Sequence, residues 1–163
     1  SFKSIEAHYC SPQITNITEP SPEYVRLSQW LAQQKTVEGI INFANNFTYV
    51  SDKEQFGKTD RWQTPSEFFV SKKGDCEDIH LFIADAIHRA LGLESYLIVA
   101  WRFTRFPLME SHAMAIYKQN NQYFLVNYRD IIPMTSLKDK QAIKQAGYTY
   151  IGGVWRMPDG RRV

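Results

Sequence analysis

Cys76 lies in Gly74-Asp75-Cys76-Glu77-Asp78, an acidic run around a nucleophile, whereas the second cysteine, Cys10, lies in a lead-in carrying Ser, Thr, Asn and Pro. With Asp75 as N-cap, Cys76 falls in the first turn of a helix, where unpaired N–H groups and the helix dipole favour a negative charge. Thiolate is the reactive form of cysteine, so this position is an activating one. Asp75, Glu77 and Asp78 are too polar for an apolar core and predict a solvent-reachable thiol, yet three carboxylates also oppose its ionisation. The site therefore needs a cation close by, either a histidinium or a bound metal. The plain alternative is a buried cysteine packed as a small hydrophobe.

Four histidines are candidate bases. His80 and His88 share the helix of Cys76, and His80 sits one turn below the thiol with its direction along the helix wall. His8 is in the lead-in. His112 opens a strand between the small residues Ser111 and Ala113, and a strand crossing the amino end of a helix brings an imidazole to the thiol from outside. If Asn120-Asn121 is a two-residue turn, His112 faces Arg129, Met114 faces Asn127 and Ile116 faces Leu125. His112 and Asn127 are then diagonal neighbours on one face, and the amide oxygen accepts from an imidazole N–H and orients the ring. Asp130 points to the opposite face in that register and is the reserve orienter. Asn127 also reads as a strand-end residue capping local backbone.

The elements that must position these groups follow from periodicity. Residues 1–20 read as an irregular lead-in. Ser21 and Pro22 start a helix with an apolar stripe of Val25, Leu27, Trp30 and Leu31, and Val37, Ile40, Ile41, Ala44 and Phe47 follow at helical spacing. Residues 48–63 form an ordered aromatic and polar loop, with Trp62 and Gln63 as candidate cleft-lining residues. Thr64-Pro65-Ser66-Glu67 is a capping box for a short helix to about Val70, which Lys72-Lys73-Gly74 stops. From Asp75 a central helix carries Ile79, Phe82, Ile83, Ala86, Ile87, Ala90 and Leu91 on one buried face and ends at Gly92. Strands are expected at 96–103, 111–118, 123–127 and 148–157, with a short helix over 136–146. Helices first and strands later make an α+β fold with an antiparallel sheet.

A chain of 163 residues is one domain's length, and 44% hydrophobic with 22% charged residues is an ordinary globular composition. The net charge of +2 is scattered, which argues against a nucleic-acid surface. No apolar run reaches the ~20 residues that span a bilayer. Two cysteines are too few for a disulfide framework.

The stretch Asn42-Phe43, Tyr49, Asp52, Trp62-Gln63-Thr64-Pro65, Glu67 and Gly74-Asp75-Cys76-Glu77-Asp78, then Leu91-Gly92, His112 and Phe124-Leu125-Val126-Asn127, resembles the bacterial transglutaminase-like cysteine proteinases of the papain-like superfamily. The well-known type of that family is a periplasmic protease that clips large surface adhesins. The resemblance covers about residues 37–130. It implies a papain-like α+β fold and a catalytic triad on Cys76, His112 and Asn127, with calcium held by Asp75, Glu77 and Asp78. Hard carboxylate oxygens suit that ion, and its charge would offset the acidic cluster; the competing reading is that Asp75 and Asp78 merely cap the helix. It also implies a periplasmic or secreted location and a protein substrate, such as a large surface protein. Two departures stand out: the third triad position is usually aspartate and the residue before the histidine often glycine, whereas this chain has Asn127 and Ser111. Hydrolysis, transfer to an amine on glutamine side chains, and a silent protein-binding module of the same fold are the functions left open.

Overall fold

The computed structural model describes residues 22–50, 63–105 and 108–163. Helices α1 (Pro22–Leu31), α2 (Val37–Ala44) and α3 (Pro65–Ser71) pack around α4 (Cys76–Leu91). After α4 come β3 (Ser95–Arg105), β4 (Leu108–Gln119), β5 (Gln122–Asn127) and β6 (Asp130–Met134). The chain then forms α5 (Lys140–Gln145), β7 (Tyr150–Arg156) and β8 (Arg161–Arg162). These strands make one antiparallel sheet in the order β6-β5-β4-β3-β7-β8, and β1 (Thr48–Tyr49) pairs in parallel with β2 (Lys73–Gly74) apart from it.

The sheet has two covered faces. Leu97, Val99, Ala113, Ala115 and Val126 meet Ile79, Phe82, Ile83 and Ala86 of α4 on one side. Ile98, Ala100, Met114, Ile116 and Leu125 meet Ala142 and Ile143 of α5 on the other. Burial on both faces explains why β3 begins as an unbroken apolar run rather than an alternating one. On the helical side, Phe82 is fully buried among the rings of Trp30, Phe43, Phe68 and Phe69. Cutting it to alanine is expected to cost about 3–5 kcal/mol, because that ring is the hub that seats α4.

The predicted α+β order is the observed one, with particular differences. Leu27 and Leu31 of α1 are buried but Val25 is exposed, and Ser21 lies outside the described residues. Thr36, not anticipated as a cap, accepts from the Gly39 N–H at 3.0 Å and starts α2. The capping box at Thr64 and Glu67 is present, with bonds of 3.2 and 3.3 Å, and α3 ends on Lys72 in the left-handed region. Strands β6 and β8 and the β1–β2 pair were not anticipated; all but β6 are two residues long, and β6 carries Pro133. Among the described residues no helix is long and apolar enough to cross a membrane.

The register that matters here is that of β4 and β5. Asn120 and Asn121 both have positive φ, the two-residue hairpin geometry, and Ile116 faces Leu125 as expected. The ladder stops at Ala115 and Val126, because the chain reverses at Tyr128-Arg129 and returns as β6, with Asn127 opposite Asp130. The expected pairing of His112 with Arg129 is therefore not formed; Arg129 instead donates to Asn42 Oδ1 at 3.1 Å. From Met114 back to Leu108, β4 is left without β5 beside it, and the amino end of α4 comes to this gap.

Candidate active site

Cys76 is the first residue of α4, after Asp75 in extended conformation. The Ala113 N–H, on the stretch of β4 that β5 no longer covers, is directed at the sulfur and pulls its pKa down. Stronger effects push the other way, removal from water first and then the charge of Glu77, with a smaller contribution from Asp75, so the thiol pKa is raised well above 9.0. Its S–H donates to Glu77 Oε2 at 3.3 Å. In the resting protein the sulfur is a protonated thiol, and the activation expected from its helical position is outweighed first by burial and then by the acids around it.

Those acids are not solvated, contrary to the sequence expectation. Asp75, Glu77 and Asp78 are all buried, Asp78 at 1% exposure. Asp78 accepts from the Gln63 N–H at 2.8 Å, from Gln63 Nε2 at 3.1 Å and from the Asp75 N–H at 3.2 Å. The last bond closes the amino end of α4, and the first two tie the segment before α3 to it. Burial raises the Asp78 pKa, while these donors pull it back down. Gly74 is required by the same packing, since a Cβ there would lie 2.6 Å from Asp78 Oδ2. Gln63 is thus a buried brace, also bonded to the Lys73 carbonyl at 2.7 Å, rather than a cleft-lining residue. Trp62, its companion in that expectation, lies outside the described residues.

The three carboxylates do not make the expected calcium cage by themselves. Among the described residues no group of three or more His, Cys, Asp or Glu side chains gathers to hold a metal ion. The donor chemistry suits calcium, but Asp78 is turned toward Gln63 and the helix cap and Glu77 toward the thiol.

His112 is nearly buried on β4, and its Nε2 lies 2.7 Å from Asn127 Oδ1 at the end of β5. The amide oxygen is an acceptor, so Nε2 carries the proton and Nδ1 holds a free lone pair. Burial lowers the pKa of the imidazole from 6.5; the Asn127 bond and Glu110 act against that, and Arg102 adds to it. The ring is neutral at pH 7, as a proton acceptor must be. Asp130, the reserve orienter, is exposed on β6 across from Asn127, and the contact with His112 is made by Asn127. Asp130 pairs directly with Asn127 and so lies on the same face of the sheet, not the opposite one expected, because the reversal at Tyr128-Arg129 ends the alternation.

His80, expected to point along the helix wall, is central here. It is fully buried, with Nδ1 2.8 Å from the Cys76 carbonyl and Nε2 accepting the Tyr128 N–H at 2.8 Å. One imidazole thereby joins the turn bearing the thiol to the turn after Asn127. Desolvation, and secondarily the His112 charge, lower its pKa to about 3, so it remains neutral and keeps both bonds. Tyr128 has φ 55°, and Asn45 Nδ2 holds its carbonyl at 3.1 Å. The available signal was the spacing: a histidine four residues after Cys76 reaches back to its carbonyl.

Cys76, His112 and Asn127 line one cavity of about 340 Å³ together with Tyr49, Tyr128 and Tyr148. A shielded thiol, a neutral oriented imidazole and a helix amino end beside them are the parts of nucleophilic acyl chemistry.

Comparison with known proteins agrees with this architecture. A family described as transglutaminase-like domain matches residues 24–146. No curated protein matches the chain. Among solved structures, Legionella pneumophila LapG superposes with a TM-score of 0.54 at 16% identity, covering 97% of this chain and 85% of its own; the likeness is one of fold. The calcium-bound form of LapG gives 0.45 at 19% identity over 70% of this chain, which spans 66% of that one. A candidate cysteine protease from Cytophaga hutchinsonii gives 0.48 at 17% identity over 91% of this chain and 54% of its own.

Proposed function

We propose, from the premise that this chain belongs to the transglutaminase-like domain family, that it is a cysteine peptidase whose nucleophile is Cys76, whose base is His112 and whose orienting residue is Asn127. The single observation that supports this best is the 2.7 Å His112–Asn127 contact within the cavity that Cys76 also lines.

In this reading His112 Nδ1 takes the Cys76 proton as the substrate binds, and the thiolate attacks a peptide carbonyl carbon. The new C–S bond leaves an oxyanion, which the Cys76 backbone N–H at the end of α4 helps to hold. Collapse breaks the C–N bond, the leaving amine takes the proton from His112, and a thioester remains. Water, deprotonated by the same imidazole, hydrolyses it; an amine in its place gives acyl transfer. Asp75, Glu77 and Asp78 are the residues that would hold calcium, whose charge there would offset their opposition to a thiolate, and no step is routed through it.

The domain comprises residues 1–163, and the substrate is a protein. A periplasmic or secreted location, and a large surface protein as target, enter through the family resemblance. Site-resolved labelling with iodoacetamide tests the core of the reading. Cys76 is expected to react at neutral pH, and His112→Ala to slow it by about 10²-fold or more. Labelling of Cys76 that ignores His112 would point instead to a silent binding module of the same fold.

A further inference from the structure

The hydrogen bond that His112 donates to Asn127 holds one edge of the imidazole, but a single bond leaves the ring free to tilt about it. A second restraint comes from the opposite end of the sheet. Tyr148 stacks on His112 with ring centroids 5.0 Å apart and planes 16° from parallel. It arrives there through the end of α5: Gly147 has φ 100°, and the Tyr148 N–H donates to the Ile143 carbonyl at 3.0 Å. A left-handed residue after a helix turns the chain sharply, and glycine adopts it without strain.

Arg102 of β3 then fastens Tyr148 in place. Its guanidinium lies 4.9 Å from the Tyr148 ring centroid, its Nη1 donates to the Gly147 carbonyl at 2.9 Å, and its Nη2 meets Glu110 Oε2 at 3.1 Å. The guanidinium thus holds both the ring and the turn that aims it, with a carboxylate on β4 fixing its own direction. A planar cation of this kind suits stacking and forked hydrogen bonding together. Arg102 remains 39% exposed, and Tyr148, whose ring packs against the α5 side of the core, also lines the cavity.

We propose that Tyr148, fastened by Arg102, is a positioning residue that sets the plane of the His112 imidazole for proton transfer from Cys76. The role rests on the Cys76–His112 reading above. The groups facing the imidazole are Arg102 from β3, Glu110 from β4, Cys76 and His80 from α4, Tyr128 from the turn after β5, and Tyr148. Tyr148 excludes water from one side of the ring, so its loss lets solvent in as well as freeing the tilt.

The experiment is the rate of Cys76 alkylation by iodoacetamide as a function of pH, read site by site by mass spectrometry on the whole chain. Tyr148→Phe keeps the stack and is expected to stay within about twofold of the parent. Tyr148→Leu is expected to slow alkylation about 10-fold or more, as a misaligned base does, and to move the acid limb of the profile upward toward 6.5, the ordinary value for a hydrated imidazole. Arg102→Gln, at a partly exposed site, is expected to do the same to a smaller extent and decides the matter should Tyr148→Leu not fold. Parental rates and an unmoved acid limb in Tyr148→Leu, or in Arg102→Gln should Tyr148→Leu not fold, would overturn the proposal. So would equal slowing in Phe and Leu variants with no shift of the limb, which is the behaviour of a merely structural residue. If His112→Ala itself leaves Cys76 alkylation unchanged, the failure lies with the Cys76–His112 reading.

Discussion

Replacing His80 by glutamine offers a quantitative test of the idea that this neutral imidazole is the joint between the thiol's turn and the turn after Asn127. In the parent, His80 titrates near 3 when folded and near 6.5 when unfolded. Below 6.5 the unfolded chain therefore binds the proton first, and stability falls as the pH drops from 6.5 toward 3. At 1.36 kcal/mol per pKa unit, the loss amounts to about 2 kcal/mol between pH 7 and pH 5 and about 5 kcal/mol once the pH is below 3. Glutamine keeps an acceptor for the Tyr128 N–H but loses the bond to the Cys76 carbonyl, costing about 1–3 kcal/mol at pH 7. Because glutamine does not titrate, the gap between parent and variant should shrink by about 2 kcal/mol at pH 5. Asp85, pushed up to about 6 by burial against the pull of Arg89, works in the opposite sense, stabilising the fold as pH falls. Its contribution, like that of His112, is common to both proteins and cancels in the difference. The assay is urea unfolding of the two proteins at pH 7 and pH 5 with matched m-values. An unchanged gap would refute the reasoning, since it would mean that His80 is protonated as readily in the fold as outside it.

Glu77→Gln removes the charge that accepts the Cys76 S–H; alkylation at pH 7 is expected to rise several-fold as the thiol pKa falls, and a slower reaction would contradict that. Asn127→Asp places a full negative charge 2.7 Å from His112 Nε2 and is expected to shift the acid limb of the alkylation profile upward by about one unit, whereas Asn127→Ala slows the reaction about 10²-fold. Gly74→Ala forces a methyl group to 2.6 Å from Asp78 Oδ2 and should lower stability by about 1–3 kcal/mol in urea; an unshifted midpoint would show that the brace gives way freely. Gln63→Ala strips Asp78 of its side-chain donor and should cost about 1–3 kcal/mol, with a smaller loss in a Gln63→Ala, Asp78→Asn double variant than the two single losses combined.

The sequence was most informative where one local rule governed the outcome. The Thr64 box, the two-asparagine turn and the apolar stripe of α4 each follow from spacing alone, and together they deliver Cys76 and His112 to the same gap. The hairpin register then put Asn127 on the face of His112. What escaped were roles set by partners far along the chain. His80 looked like a wall residue because its acceptor, the Cys76 carbonyl, and its donor, the Tyr128 N–H, sit on the helix backbone and on a turn 48 residues away. Tyr148 carried no mark except the glycine before it. The reversal at Tyr128-Arg129 could not be read from a pattern, since a tyrosine with positive φ is disfavoured and persists only because its neighbours hold it.

The acidic run around Cys76 shows how composition misleads about burial while remaining right about electrostatics. Three carboxylates in four residues read as a solvated edge, yet all are buried; for Asp78 and Glu77 the Gln63 amide, the helix cap and the thiol supply donors that water would otherwise provide. Polar residues enter a core when their hydrogen bonds are met there. The electrostatic consequence survives the change of surroundings: charges held in a dry site act on the sulfur more strongly than hydrated ones would. Cys76 is therefore stored as a thiol beside a base stored without its proton, two groups whose pKa values are pushed apart in the wrong order for a resting ion pair. Under the proposed chemistry, proton transfer is coupled to attack on the substrate, in which charge leaves the sulfur as the C–S bond forms and passes to the oxyanion that the Cys76 N–H helps to hold. Burial and the same acids thus keep the sulfur protonated at rest, and on this proposal they are overcome only when a carbonyl is there to take up the charge.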